Sequence, residues 1–552
     1  MTQLLDSVKY LGVTELDDLS GRGRPFEIGP EDVLGEQLDV FVNRHRRLAE
    51  LLEASRVHGD REYVVFDDTR LTYTQHYAAV AALATRLRDE YAIGPGTRVA
   101  ILAANGAEWV VAFWATVSLG AVAVALNAWW SGPEIAYALG NAQPRLIVVD
   151  ADGLARLTEP PECSVLDVAG IVLDADGGDV PAVDGAEDDP AVILYTSGTT
   201  GFPKGAVHSH RNIVALVQAQ ALIAARRMVA FGLSPTATFP MRIFTTNPLF
   251  HVSGLHSSTI AGLASGVTHV WCTGRFDPVV VMQMIERERC TNWTTVPTAV
   301  HRVVSHPDVA TFDLSSMRHI GGGGSAWSPV LQERIRDVFG TDISSGLGYG
   351  LTECNGLATV ASAADLRAHP TTVGAAVPTV QVEIRDAEGK PVPDGDEGEI
   401  HIRSPLVMRG YWRNDDATAA VIGPGRWLRS GDLGHLDDGL LYLSSRRYDL
   451  IIRGGENVYP VEIENVLEGH PGVAESVVVG TPHDDLGQEV TAVVVPRPGA
   501  SVDAAALTAY VREQLAYFKV PSRWVFRETP LPRTATDKVV RADVLRDLEG
   551  TA

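Results

Sequence analysis

The stretch Tyr195-Thr-Ser-Gly-Thr-Thr-Gly-Phe-Pro-Lys-Gly205 directly follows the apolar run Ala191 to Leu194. Three glycines, Gly198, Gly201 and Gly205, let the backbone take positive φ and turn its N–H groups toward an anion. Thr196, Ser197, Thr199 and Thr200 add hydroxyl donors, and Lys204 adds a point charge that a polyphosphate would satisfy. Four hydroxyls, three glycines and a lysine within eleven positions read as a phosphate cradle rather than an ordinary surface turn. The spacing is not that of the Walker loop, which needs four residues between its first glycine and Gly-Lys-Ser/Thr. Here Gly201-Phe-Pro-Lys204 ends in Gly205.

The loop resembles the signature of the adenylate-forming superfamily, of the acyl-CoA synthetase type: Tyr-Thr-Ser-Gly-Thr-Thr-Gly-x-Pro-Lys-Gly is matched without substitution. The resemblance implies that the loop grips the β- and γ-phosphates of ATP.

Composition bounds the reading independently. A chain of 552 residues is too long for one core, so at least two domains are expected. Its 45% hydrophobic and 21% charged content is that of a folded globular protein. Lys plus Arg 46 against Asp plus Glu 69 gives −23, which argues against sequence-independent nucleic-acid binding and disfavours anionic membrane surfaces. ATP and CoA are anions too, so their sites must be locally basic. Cys163, Cys272, Cys290 and Cys354 are scattered and form no CxxC pair, so neither a zinc site nor a disulfide framework is suggested, and a reducing, cytoplasmic setting fits best. The first thirteen residues do not read as a secretory signal. Trp109 to Ser131 carries no charge, but Thr116, Ser118, Gly120 and Asn127 interrupt it and the pattern turns Val-rich after Gly120. A buried helix followed by a buried strand is expected there, not an integral membrane segment.

Short apolar runs alternate with helical patterns: Val99 to Leu102, Ala121 to Leu126, Leu146 to Val149 and Ala191 to Leu194 read as strands, and Tyr77 to Tyr91 as a helix. The expected fold class is α/β, with a large N-terminal domain of mainly parallel sheets covered by helices and a small mobile α+β C-terminal domain. Residues 1–50 form an N-terminal extension without an assignable role, 51–447 the large domain and 448–552 the small one. In the latter, Glu475 to Val479 and Thr491 to Val495 read as strands and Val502 to Leu515 as a helix.

Four further constellations carry chemistry. In Tyr349-Gly350-Leu351-Thr352-Glu353 an aromatic beside a glycine can stack on a purine, Thr352 can donate to a phosphate, and Glu353 can hold a hard cation through oxygen. In Gly321-Gly-Gly-Gly-Ser-Ala-Trp-Ser-Pro329 consecutive glycines permit a flat ligand to lie against bare backbone. Ser430-Gly-Asp432, with Arg446 fourteen residues on, offers a carboxylate for a ribose diol and a cation for sugar and phosphate. Leu531-Pro-Arg-Thr-Ala-Thr-Asp-Lys538 offers a lysine that can neutralise charge developing in a closed site.

The resemblance assigns these as adenine-stacking, α-phosphate and magnesium-binding positions in the 349–353 motif, an adenine pocket at Gly324, Ser325 and Ala326, and a catalytic Lys538. Trp327 stands where a smaller aliphatic residue is usual, and Asp537 where glycine is common. At the hinge, Arg446-Arg-Tyr448 precedes Asp449, so Tyr448 takes the usual pivot position with Asp449 beside it. Gly454 and Gly455 match glycines that line the pantetheine tunnel in relatives, and Tyr517-Phe-Lys-Val-Pro521 is a second family marker, with packing as its expected role.

Leu249-Phe-His-Val-Ser253 speaks to the substrate. Amino-acid-activating relatives place an aspartate after this phenylalanine, and an imidazole cannot supply that full negative charge, so His251 points to a plain carboxylic acid. By resemblance His251, Gly323 and Gly324 border the acyl pocket. The expected activity is that of an AMP-forming acid–thiol ligase: ATP and Mg2+ activate a small carboxylic acid to an acyl-adenylate, which passes its acyl group to CoA. Two alternatives stand beside it, a ligase loading a separate carrier protein and a non-catalytic nucleotide-binding regulator. The chain ends fourteen residues after Lys538, which argues against a fused carrier domain. The acidic balance leaves a homodimer open.

Overall fold

The computed structural model describes residues 17–196, 203–230, 232–234, 240–274, 276–323, 329–446, 449–453, 456–483, 486–515, 517–534 and 539–549. Among the described residues the strands form four sheets. A seven-stranded sheet runs, in spatial order, Gly410–Tyr411, Lys204–Ser209, Pro190–Thr196, Val122–Ala125, Arg98–Leu102, Leu146–Val149 and Ser164–Asp167. Pro190–Thr196, Val122–Ala125, Arg98–Leu102 and Leu146–Val149 pair parallel and are buried at nearly every position, which is why they read as continuous apolar runs rather than as alternating ones. The uncharged stretch after Trp109 resolves as expected into the helix Ala107–Ser118 and the strand Val122–Ala125. Trp109, Phe113 and Trp114 of that helix are buried in the first core.

A thirteen-stranded sheet has a parallel centre, Glu62–Phe66, Thr268–Trp271, Arg242–Thr245, Asn292–Thr295, His319–Gly323 and Ser344–Tyr349. From Ser344–Tyr349 onward it continues antiparallel through Thr359–Ala361, Thr372–Ala376, Leu440–Arg446 and Leu428–Asp437. The expectation of mainly parallel sheets therefore holds for the centres only. Of these later neighbours, Leu428–Asp437 and Leu440–Arg446 are joined by a two-residue hairpin connection, which reverses the chain.

Local chemistry explains the element ends. The helix Tyr73–Tyr91 starts on a capping box between Thr72 and Gln75 and stops at Ala92 in the left-handed region. Beyond residue 450 a five-stranded sheet is built on the hairpin Val473–His483 and Gly487–Pro496, longer at both ends than the sequence pattern suggested. The helix Ala504–Arg512 is capped by Asp503. This unit has its own core of Ile451, Ile463, Leu467, Val478, Val494 and Val511.

The N-terminal extension contributes structure of its own among the described residues. Ile28–Val33 and Glu36–Phe41 form an antiparallel hairpin. Arg44, 2% exposed, bonds Glu31 and Glu187, while Arg211 bonds Glu31 and Asp188. The hairpin is thus tied to the connector that leads into the Pro190–Thr196 strand. Among the described residues one helix, His210–Ala230, is long and apolar enough to cross a membrane, and 44% of it is buried inside the protein.

Candidate functional site

The phosphate-loop residues flank a hairpin. Pro190–Thr196 and Lys204–Ser209 pair antiparallel with Thr196 opposite Lys204, so the chain between them leaves and re-enters the sheet at one point. Ser197, Gly198, Thr199, Thr200 and Gly201 lie outside the described residues. Gly205 is required by packing: a Cβ there would lie 2.8 Å from Ile193. Lys204–Ser209 also pairs with Gly410–Tyr411, and that pairing sets Tyr411 beside the lysine.

Tyr411 links two motifs that are far apart in sequence. The Lys204 ammonium sits 5.4 Å from the centre of its ring, within range of a cation–π attraction. The Tyr411 hydroxyl donates to Glu353 Oε1 at 2.6 Å. Burial, reinforced by the Glu353 carboxylate, raises the Tyr411 phenol above its ordinary range, so it stays a proton donor. Glu353 stands in the short turn Thr352–Cys354, and its backbone carbonyl accepts from Met408 N at 2.8 Å. With one carboxylate oxygen taken by Tyr411, the other is available to a hard cation, so the donor chemistry fits magnesium.

The second pair is Tyr349 and Asp432. Tyr349 ends the Ser344–Tyr349 strand and donates to Asp432 Oδ2 at 2.8 Å. Burial first, then the Asp432 charge, pushes its phenol well above the usual value. Asp432 lies opposite Arg446 in the register of Leu428–Asp437 with Leu440–Arg446, which brings the predicted sugar-reading pair together at backbone level. The Asp432 amide donates to Ser430 Oγ at 3.0 Å. Gly350 faces the backbone of Gly356, where a Cβ would come within 2.6 Å.

Gly321, Gly322 and Gly323 form the end of a central parallel strand. A Cβ on Gly322 would collide with the Thr295 carbonyl oxygen, and one on Gly323 with that of Gly348. At these positions sheet packing itself requires glycine. Gly324, Ser325 and Ala326 lie outside the described residues, as do Tyr448, Gly454, Gly455 and Lys538. Asp449, next to the expected pivot, is 3.3 Å from Arg541, which also bonds Glu464 at 2.5 Å.

A crevice opens where three parallel strands end, outside Thr245, Trp271 and Thr295, the usual ligand position in such sheets. Asn105, Trp129, Thr246, Pro248, Phe276 and Val296 line it. Two of its polar side chains are held by neighbours. Asn105 accepts from Leu249 N and donates to the Asn247 and Cys272 carbonyls, and Thr246 pairs with Thr295 at 2.6 Å. The wall is therefore mixed, with Trp129 and Phe276 presenting rings beside these polar groups. His251 follows directly: Phe250 packs edge-on against Trp129 at 5.1 Å, and His251 N donates to Pro248 O.

Tyr411 and the crevice walls were not among the residues singled out by sequence. Tyr411 is 58 positions from Glu353 and carries no local motif. Trp129 and Phe276 carry no local motif either, and meet only where the strand ends converge.

A family model described as AMP-binding enzyme matches residues 51–412, and one described as AMP-binding enzyme C-terminal domain matches residues 462–538. Feruloyl-CoA synthase from an Amycolatopsis species is 34% identical over 486 residues, covering 87% of this chain and 94% of that protein. Indoleacetate–CoA ligase from Aromatoleum aromaticum is 34% identical over 526 residues, 92% of this chain and 97% of that protein. Among solved structures, o-succinylbenzoate CoA synthetase from Bacillus subtilis, in complex with its acyl-adenylate intermediate, superimposes with a TM-score of 0.77 at 29% identity. It covers 90% of this chain and 97% of that one.

Proposed function

The chain belongs to the AMP-binding enzyme family, and from that premise we propose that it is an AMP-forming acid–CoA ligase acting on an apolar, ring-bearing carboxylic acid. The observation that carries the reading is the convergence on Tyr411: Lys204 lies over its ring and Glu353 accepts its hydroxyl. A phosphate-loop cation and a cation-binding carboxylate from separate motifs so meet within one side chain's reach.

In the first half-reaction a substrate carboxylate oxygen attacks the α-phosphorus of ATP. The bond to the bridging oxygen of the β-phosphate breaks, and pyrophosphate leaves with that electron pair. Thr196, Ser197, Gly198, Thr199, Thr200, Gly201 and Lys204 hold the β- and γ-phosphates. Thr352 donates to the α-phosphate. Tyr349, with Gly324, Ser325 and Ala326, frames the adenine, and Asp432 and Arg446 take the ribose and its phosphate. Glu353 holds the magnesium ion that accompanies ATP, which offsets phosphate charge when bound. Lys538 neutralises charge growing between the carboxylate and the α-phosphate.

In the second half-reaction the CoA thiolate attacks the acyl carbonyl carbon and AMP leaves. The small domain turns about Tyr448 and Asp449, with pantetheine passing Gly454 and Gly455. The Arg541 bridge to Asp449 supports this pivot, because it fastens Asp449 to the small unit while residue 446 belongs to the large sheet. Dividing the steps between two arrangements keeps the reactive anhydride from water.

The rings of Trp129 and Phe276 on the crevice wall support a flat, ring-bearing acid tail entering past His251. Relatives named for feruloyl and indoleacetate substrates are in keeping with such a tail. The test is a panel of aryl, alicyclic and straight-chain acids incubated with ATP, magnesium and CoA, with thioester read by mass spectrometry. Thioesters of ring-bearing acids are expected to dominate. Exclusive turnover of long straight chains would overturn the substrate class, and no thioester from any acid would overturn the ligase.

A further inference from the structure

Behind the Thr352–Glu353 turn lies a buried polar chain that neither the cradle nor the crevice explains. His256, 0% exposed, stands in the π-helical segment Leu255–Ile260, five residues after His251. Such widened turns are uncommon and cluster at functional sites. The His256 ring bonds through Nδ1 to Asn355 Oδ1 at 2.5 Å. Asn355, also 0% exposed, terminates the Thr352–Cys354 turn with φ of 64°, a left-handed conformation that asparagine tolerates better than most side chains. Its Nδ2 donates to the Asn212 carbonyl at 2.6 Å. Asn212 in turn donates through its own Nδ2 to the Pro405 and Val407 carbonyls. The next residue, Met408, donates its amide to the Glu353 carbonyl, and three positions on Tyr411 holds the Glu353 carboxylate.

The network fixes the proton. Since Asn355 Nδ2 is spent on a carbonyl, its Oδ1 is the acceptor, and His256 must carry hydrogen on Nδ1. Packing agrees with the bonding: a Cβ on Gly356 would lie 3.0 Å from Val252, so the turn rests on the acid-side segment.

We propose that the His256–Asn355 hydrogen bond is a strut that sets the Thr352–Glu353 turn against the acid-binding segment, making both side chains positioning residues for adenylate formation. This rests on the ligase reading above. The strut couples the two substrates: seating the acid past His251 holds the segment that in turn holds the α-phosphate and magnesium ligands in place. Its action belongs to the first half-reaction, in which ATP and magnesium are present.

The tautomer supplies a sharp test, because an asparagine amide reproduces a donor at the Nδ1 position, whereas a glutamine amide falls where Nε2 was. His256→Asn, His256→Gln, His256→Ala and Asn355→Asp are compared with wild type in three assays. These are acid-dependent pyrophosphate release, thioester formation from supplied acyl-adenylate and CoA, and thermal unfolding. Expected are a loss of about tenfold or more in kcat for pyrophosphate release in His256→Ala, His256→Gln and Asn355→Asp, recovery to within a few fold in His256→Asn, and near wild-type thioester formation in each. Equal loss of both half-reactions, or equal behaviour of the Asn and Gln variants, overturns the strut while leaving the ligase intact. A wild-type protein that releases no pyrophosphate with any acid overturns both.

Discussion

Tyr411 shows what a single side chain contributes once the fold is formed. Its ring offers a face to Lys204 and its hydroxyl a proton to Glu353, so it orders two charges of opposite sign around one side chain. Tyr411→Phe keeps the ring and removes the donor. We expect kcat for pyrophosphate release to fall about tenfold, the scale of one hydrogen bond to a charged group, with little change in Tm. An unchanged rate under saturating ATP and magnesium would show that Glu353 needs no such partner. The candidates Lys204, Glu353, Tyr349 and Asp432 were legible at this scale, because they sit in motifs whose chemistry is local. Tyr411 was not, since its role comes from pairing with Lys204–Ser209 across the sheet. The His256–Asn355 contact, 99 positions apart, was hidden for the same reason.

At the scale of elements, the buried strands were legible as short apolar runs, and the helix after Trp109 as an uncharged one. The antiparallel continuation of the large sheet was not, because strand direction follows from connection geometry rather than from the strand's own residues. The glycine run His319–Gly323 carries a double constraint. The sequence reading saw space for a ligand, whereas the sheet uses Gly322 to admit the Thr295 carbonyl and Gly323 to admit that of Gly348. Gly322→Ala should therefore cost about 1–3 kcal/mol or more through overpacking in a strand with neighbours on both sides. The check is the chemical denaturation midpoint, and a midpoint equal to wild type would mean that the sheet can spread at that point without penalty.

Over the whole molecule, charge binds the N-terminal hairpin to the main body. Arg44 beside Glu31 holds that carboxyl down to about 2 from an ordinary 4.5, against an opposing effect of burial. A depressed carboxyl contributes stability that is complete above pH 4.5 and is lost as pH falls from there toward 2. Arg44→Ala should lower stability at neutral pH and flatten the acid limb of a Tm-against-pH profile. A limb parallel to wild type would place the acid sensitivity elsewhere. This network was hidden from sequence inspection, because Glu31, Arg44, Glu187 and Arg211 are spread over 180 positions.

Two-step chemistry is also a property of the whole chain. Lys538→Ala should lose adenylate formation by about a hundredfold or more yet retain thioester formation from supplied acyl-adenylate. Loss of both together would contradict a small domain that turns between steps.

The central claim is that an organic carboxylate attacks the α-phosphorus of ATP. It is tested most directly by supplying an accepted acid labelled with oxygen-18 in both carboxyl oxygens, together with ATP, magnesium and CoA, and weighing the nucleotide product. The account predicts AMP carrying one labelled oxygen, because CoA later cuts the carbon–oxygen bond and leaves that atom on phosphorus. Unlabelled AMP, or ADP in its place, would contradict it.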